Sequence, residues 1–272
     1  VTIDRQADSK GPAFHAARLS YRTVMKVLGK RKAPINFERH LPSILQHTQA
    51  FIDQNLSMSE PLDSTAKLKA HFAREKYDAV IVGSDQTWRP QYSPNIENFF
   101  LDFLEGIEIK RIAYASSFGV DEWEFNEEQT RRSAALAKQF DTISVREDSG
   151  VELCRKFLGV ESTNVLDPTL LLENETYAAL YQNKEIPGKR GIYTYILDQA
   201  DWKDQIVETA KQVLCKPQYN NQPKLDISNL ITENLSDYKM PSLESWIKGF
   251  ADADFVITDS FHGTVFSIIF NK

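Results

Sequence analysis

Along most of the chain, short apolar runs alternate with helical patterns. AVIV (79–82), RIAYAS (111–116), TISV (142–145), VL (165–166), IYTYIL (192–197) and FVIT (255–258) are brief and rich in β-branched or aromatic residues. Gly, Asp, Pro or Ser bound them. That pattern predicts buried strands. Between them lie amphipathic stretches. Ser149, with Glu152 three residues on, has the form of a capping box. It opens a helix with Val151, Cys154, Phe157 and Leu158 on one face and a stop at Gly159. Residues 202–214 place Trp202, Ile206, Val207, Ala210, Val213 and Leu214 on one stripe. A helix beginning near Ser242 shows Leu243, Trp246, Ile247 and Phe250 at i, i+3, i+4 and i+7. The first seventy or so residues read as mostly helical and polar.

Strands that are apolar throughout, alternating with helices, imply an α/β fold with parallel sheets covered on both sides. EIPGKR (185–190) combines Pro, Gly and charges between a helical pattern and a new strand. The expected division is therefore an N-terminal α/β domain over 1–189 and a second, incomplete one over 190–272. The 272 residues are enough for two modest domains.

Composition narrows the function classes. With 42% apolar and 26% charged residues the chain has an ordinary globular make-up, not that of a disordered or low-complexity segment. Its 32 basic and 38 acidic side chains leave a net charge of −6, which disfavours a nucleic-acid groove built on phosphate contacts. The strongest basic run, KVLGKRK (26–32), reads as a solvated helix end. Cys154 and Cys215 form no CxxC pair and have no metal-ligand spacing with His, so neither structural zinc nor a disulfide framework is expected. No run reaches the ~18 apolar residues that span a bilayer. The sequence starts with Val and stops just after an apolar stretch, as a piece trimmed at both ends would. Three Asn-x-Ser/Thr sequons, at Asn55, Asn174 and Asn234, read as chance.

Ligands of open α/β sheets bind beyond the carboxyl ends of the strands. After AVIV come Gly83, Ser84, Asp85, Gln86 and Trp88, a hydrogen-bonding cluster that would equally serve as a turn and cap. After RIAYAS, the hydroxyls of Ser116 and Ser117 suit a carboxylate or phosphate, with close helix packing as the alternative. After TISV, Arg146 sits just before a helix and its fork matches an anion; a salt bridge to Glu147 or Asp148 competes. Asp167-Pro168-Thr169 reads as a turn or N-cap. FVITDSFHGTVFSII (255–269) carries His262 at a strand-to-helix junction, with Ser260, Gly263 and Thr264 around it, where amides can meet an anion and imidazole can move a proton. Asp85 and Asp259 are candidates to orient hydroxyls or the imidazole, or are simple caps. His15, His40, His47 and His71 lie in polar helical stretches and read as surface residues. No P-loop, GxGxxG, HExxH or GxSxG occurs.

Together YDAVIVGSDQTWRP (77–90), KRIAYASSFG (110–119), FDTISVREDSGVELC (140–154), LDPTLLL (166–172) and DFVITDSFHGT (254–264) resemble the polysaccharide pyruvyl transferase family. The resemblance implies two Rossmann-like domains in a GT-B-like arrangement, the second truncated here and the first lacking its opening strand. It implies transfer of the pyruvyl group of phosphoenolpyruvate onto saccharide hydroxyls, giving a pyruvate ketal on a cell-surface or capsular polysaccharide. By position, His262 becomes the acid/base residue and Arg146 a ligand of the donor. The strand-end residues Ser84, Asp85, Gln86, Ser116, Ser117, Ser260, Gly263 and Thr264, read from the chain itself, complete the expected substrate-binding set. Some relatives carry a basic residue two positions before the His; here it is Ser260, which shifts anion binding towards Arg146 and backbone amides. The expected partners are phosphoenolpyruvate, as donor substrate rather than cofactor, and a saccharide or lipid-linked saccharide, with no metal and no nucleic acid. The expected place is cytoplasmic, with a peripheral position at the inner membrane face left open. A GT-B glycosyltransferase using a nucleotide sugar, or a non-catalytic carbohydrate-binding relative, are the alternatives.

Overall fold

The computed structural model describes residues 1–7, 11–224, 226–230 and 232–272. In chain order the α-helices are α1 (Pro12–Val27), α2 (Leu41–Ile44), α3 (Gln46–Asn55), α4 (Thr65–Arg74), α5 (Glu127–Ala137), α6 (Asp148–Leu153), α7 (Asn174–Ala178), α8 (Asp201–Leu214), α9 (Leu243–Asp252) and α10 (Phe261–Ile269). The strands are β1 (Ala79–Val82), β2 (Lys110–Ser116), β3 (Thr142–Val145), β4 (Thr163–Asn164), β5 (Ile192–Tyr195), β6 (Gln218–Tyr219) and β7 (Phe255–Thr258).

Two compact units result, Val1–Ser9 with Met58–Leu171, and Lys10–Ser57 with Leu172–Lys272. This division falls after Leu171, whereas the sequence placed its boundary at 189/190, and the early helices group with the second unit. Proximity in sequence misleads here because α2 packs on the 232–238 segment and α3 on α9, as in the bond from Met240 N–H to Ile44 O.

In the first unit four parallel strands lie in the order β1-β2-β3-β4. Its core joins Leu68, Phe72, Trp88, Phe100, Leu136 and Val145. β1 is an edge strand among those described, so Ile81 is 65% exposed despite its apolar run. In the second unit three parallel strands lie in the order β6-β5-β7, over a core of Tyr193, Ile247, Phe250, Ala253 and Phe266. Parallel sheets with connecting helices bear out the α/β class.

Several local readings change. The fourth strand is Thr163–Asn164 rather than 165–166. α6 opens at Glu147, not Ser149, and has no side-chain cap, because the Glu147 carboxylate is bonded to Ser117 and Arg146. Its continuation, one π turn over Cys154–Leu158, does end at Gly159 in the left-handed region. Ser242 caps α9 as read, accepting from Ser245 N–H. On α8 only Val207 is buried, while Trp202, Ile206 and Val213 face outward. His40 and His71 are buried, not superficial. His71 meets Glu60 Oε1 (3.1 Å) and Tyr77 Oη (2.8 Å).

Candidate active site

In the first unit the loops after all four strands gather around one guanidinium. Arg146, immediately after β3, keeps only 5% of its side chain exposed. Its Nη1 donates to Asp167 Oδ2 (3.1 Å), Nε to Glu147 Oε1 (3.1 Å) and Nη2 to Asp85 Oδ1 (3.5 Å). The three carboxylates differ in setting. Asp167 is fully buried and its other oxygen accepts from Thr169 N–H at 2.9 Å, the turn expected from the sequence. Glu147 also receives the Ser117 hydroxyl at 2.6 Å. Asp85 is exposed, and its contact with Arg146 is the longest. The salt bridge to Glu147 therefore exists, and Asp167 and Asp85 join it.

The GSDQTW loop is fixed from below. Gly83 ends β1 with φ +136°, and a Cβ there would stand 1.9 Å from Tyr114 O, so only glycine fits. Asp85 takes positive φ, and its carbonyl accepts from Ser117 N–H at 3.0 Å. Ser84 is half-buried. Gln86 Oε1 accepts from Arg89, which in turn forks onto Glu124 (2.9 and 3.1 Å). Trp88 is not a platform for a ligand. It is wholly buried, stacks on Phe100 and donates Nε1–H to Phe99 O. Ser116 and Ser117 are likewise buried, with the Ser116 hydroxyl on Val82 O and the Ser117 hydroxyl on Glu147.

In the second unit the strand order β6-β5-β7 makes the chain leave β5 to one side and return on the other. The gap between the carboxyl ends of β5 and β7 is thus a topological switch point, the usual place for a ligand in such sheets. Asp259 closes the lower part of this gap. It accepts from Leu197 N–H (2.7 Å) and Asp198 N–H (3.1 Å) after β5, and Lys203 Nζ lies 2.6 Å away. Burial alone would raise the Asp259 pKa, but Lys203 and the two amides outweigh it and hold the carboxyl below its ordinary range.

Three residues later His262 occupies the first turn of α10, half-buried, its ring edge-on to Phe261 at 5.3 Å. Ser260 is the N-cap and accepts from Gly263 N–H at 3.2 Å, while Thr264 donates its hydroxyl to Ser260 O. Ser260, Gly263 and Thr264 thus shape the turn that presents His262.

Three members of these clusters are not among the candidates the sequence offers. Asp167 passed as a turn because its guanidinium partner is remote in sequence. Glu147 appeared only as a competitor for Arg146, and Lys203 was overlooked. A lysine in the first turn of a helix opposes the helix dipole, which is a usable signal that another contact holds it. Among the described residues, no group of three or more His, Cys, Asp or Glu is arranged to hold a metal ion. No helix among them is long and apolar enough to cross a membrane.

Compared with curated proteins, the sequence matches none. Against protein families it matches polysaccharide pyruvyl transferase over residues 15–272, a span containing both strand-end clusters. The chain belongs to the polysaccharide pyruvyl transferase family.

Proposed function

We propose that the chain transfers the pyruvyl group of phosphoenolpyruvate to a saccharide diol, forming a cyclic ketal during polysaccharide assembly. The two units are proposed as the Rossmann-like halves of a GT-B arrangement. The observation that carries the proposal is His262 in the first turn of α10, beside the β5/β7 switch point and partly open to solvent.

In this reading a saccharide hydroxyl adds to C2 of phosphoenolpyruvate as His262 delivers a proton to C3, which becomes the methyl group. The hydroxyl proton passes to a base. Phosphate leaves from C2, a second hydroxyl takes its place, and that hydroxyl's proton leaves with phosphate. The sum is donor plus diol giving ketal plus inorganic phosphate. Asp85, exposed at the sheet's carboxyl end, suits the acceptor hydroxyls, with Ser84 and Gln86 beside it. Arg146 already holds three carboxylates, so a donor anion would reach it by displacing Asp85, the longest and most exposed of them. Lys203 offers the cation that position 260 lacks.

The test is phosphate release from phosphoenolpyruvate in the presence of saccharide acceptors. General acid–base groups contribute about 10²–10⁴-fold, so His262→Ala should lose that much while still folding. Activity within a few-fold of the parent would remove His262 from the chemistry. Protection against heat by a uridine diphosphate sugar, and not by phosphoenolpyruvate, would favour sugar transfer instead.

A further inference from the structure

The helix α1 is exposed over most of its surface: of its described side chains only Arg18, Arg22 and Met25 are partly buried. Arg18 and Arg22 both reach Glu38 Oε1, the latter at 2.6 Å, so this strip of the helix lies against its own unit. The apolar side faces solvent. Phe14, Tyr21, Val24, Val27 and Leu28 fall within an arc of about 140° on the helical wheel, and Tyr21, Val27 and Leu28 are 64%, 82% and 60% exposed. Leu19 is exposed too, away from this arc. Water alone gives no reason to turn such a face outward, since exposed apolar area is unfavourable.

Charge indicates what would cover it. Between residues 11 and 37 the sequence holds Arg18, Arg22, Lys26, Lys30, Arg31 and Lys32 and not one Asp or Glu, in a chain whose net charge is −6. Lys30 and Lys32 are exposed just beyond the helix end, whereas Lys26 lies across the wheel from the apolar arc and its ammonium donates to Lys32 O. Protein–protein interfaces favour aromatic residues and Arg but are depleted in Lys. Exposed lysines at the end of an aliphatic and aromatic helix face instead match a bilayer interface, with side chains among the acyl chains and ammonium groups at anionic headgroups.

We propose that α1 docks the protein on an anionic membrane surface, its Phe14–Tyr21–Val24–Leu28 face inserted at the headgroup boundary and Lys30 and Lys32, just beyond the helix end, paired with lipid phosphates. The helix lies in the plane of the interface. The inference stands apart from the pyruvyl-transfer reading, since neither His262 nor Arg146 enters it.

The test is co-sedimentation of the whole chain with vesicles of phosphatidylcholine containing about one third phosphatidylglycerol, beside vesicles of phosphatidylcholine alone. The protein should pellet with the first and stay in solution with the second. Val24→Asp and Leu28→Asp should each abolish pelleting. Lys30→Glu with Lys32→Glu should weaken it by about twentyfold or more. Circular dichroism of these variants should match the parent, because the sites are exposed. Absence of pelleting by the parent, equal binding to both vesicles, or indifference to Val24→Asp would overturn the proposal. So would a parent dimer in sedimentation that Val24→Asp converts to monomer, which would make a second copy the occupant of this face.

Discussion

Nη1 of Arg146 lies 3.1 Å from Oδ2 of Asp167, and both side chains are almost wholly withdrawn from water. Removing one partner of a buried pair leaves an uncompensated charge and costs about 3–5 kcal/mol. Asp167→Ala should therefore lower the urea midpoint by that order, and Arg146→Ala should do the same. Replacing both by apolar residues of similar volume should cost less than the sum, because no charge is then stranded. Equal midpoints for parent and Asp167→Ala would show that the pair does not hold the first unit together.

A second prediction concerns the turn that presents His262. A Cβ on Gly263 would stand 2.2 Å from Thr258 Oγ1 and 3.1 Å from Thr258 Cβ. That hydroxyl cannot rotate away freely, since it donates to Tyr195 O at 2.7 Å and accepts from Ser260 N–H at 3.1 Å. Gly263→Ala should destabilise by about 1–3 kcal/mol through overpacking. Thr258→Ala added to it should recover part of that loss, giving a coupling of about 0.5–3 kcal/mol in a double-mutant cycle. Strict additivity would mean that the backbone absorbs the methyl group instead.

What could be read from the sequence was set by local physics. AVIV, TISV and FVIT are strands because short runs rich in β-branched and apolar residues, bounded by turn residues, favour an extended pleated backbone, and all three appear at the bounds read. Gln218–Tyr219 escaped notice because two residues carry no period. His40 and His71 were misjudged because their helices look polar. His71 is buried through Glu60 and Tyr77, which the fold alone brings to it. The same limit hid Asp167, whose local sequence accounts for the Thr169 turn but not for Arg146. The place of His262 at a strand-to-helix junction could be read because strand, turn and helix all lie within one short segment.

Acid should act on the second unit through Asp259. Burial works against ionisation there, but the hydrogen bonds from Lys203 Nζ and from the Leu197 and Asp198 amides prevail and lower its pKa. A carboxyl whose folded pKa lies below its unfolded one stabilises the protein fully above the unfolded value, about 4. That contribution fades as pH falls through the folded pKa. Asp259→Asn should thus reduce stability at neutral pH and flatten the loss of stability below about pH 4, as followed by urea unfolding over a pH series. A variant whose pH profile parallels the parent's would show that other carboxyls govern the acid limb.

The two cysteines give a reading of the first unit's opening. Cys154 is buried, and burial pushes its thiol up to about 11, so at neutral pH almost no thiolate exists and no reagent reaches it. Cys215 is exposed just past α8. Thiolate is the reacting form, so iodoacetamide should label only Cys215 in the native protein and both residues in urea, as mass spectrometry would record. Slow labelling of Cys154 under native conditions then measures local or global opening. Because Cys154 belongs to the same core as Val145, next to Arg146, Asp167→Ala should speed that labelling. Cys215 should react at an unchanged rate. Acceleration at both sites alike would mean that the loss of the ion pair unfolds the chain as a whole.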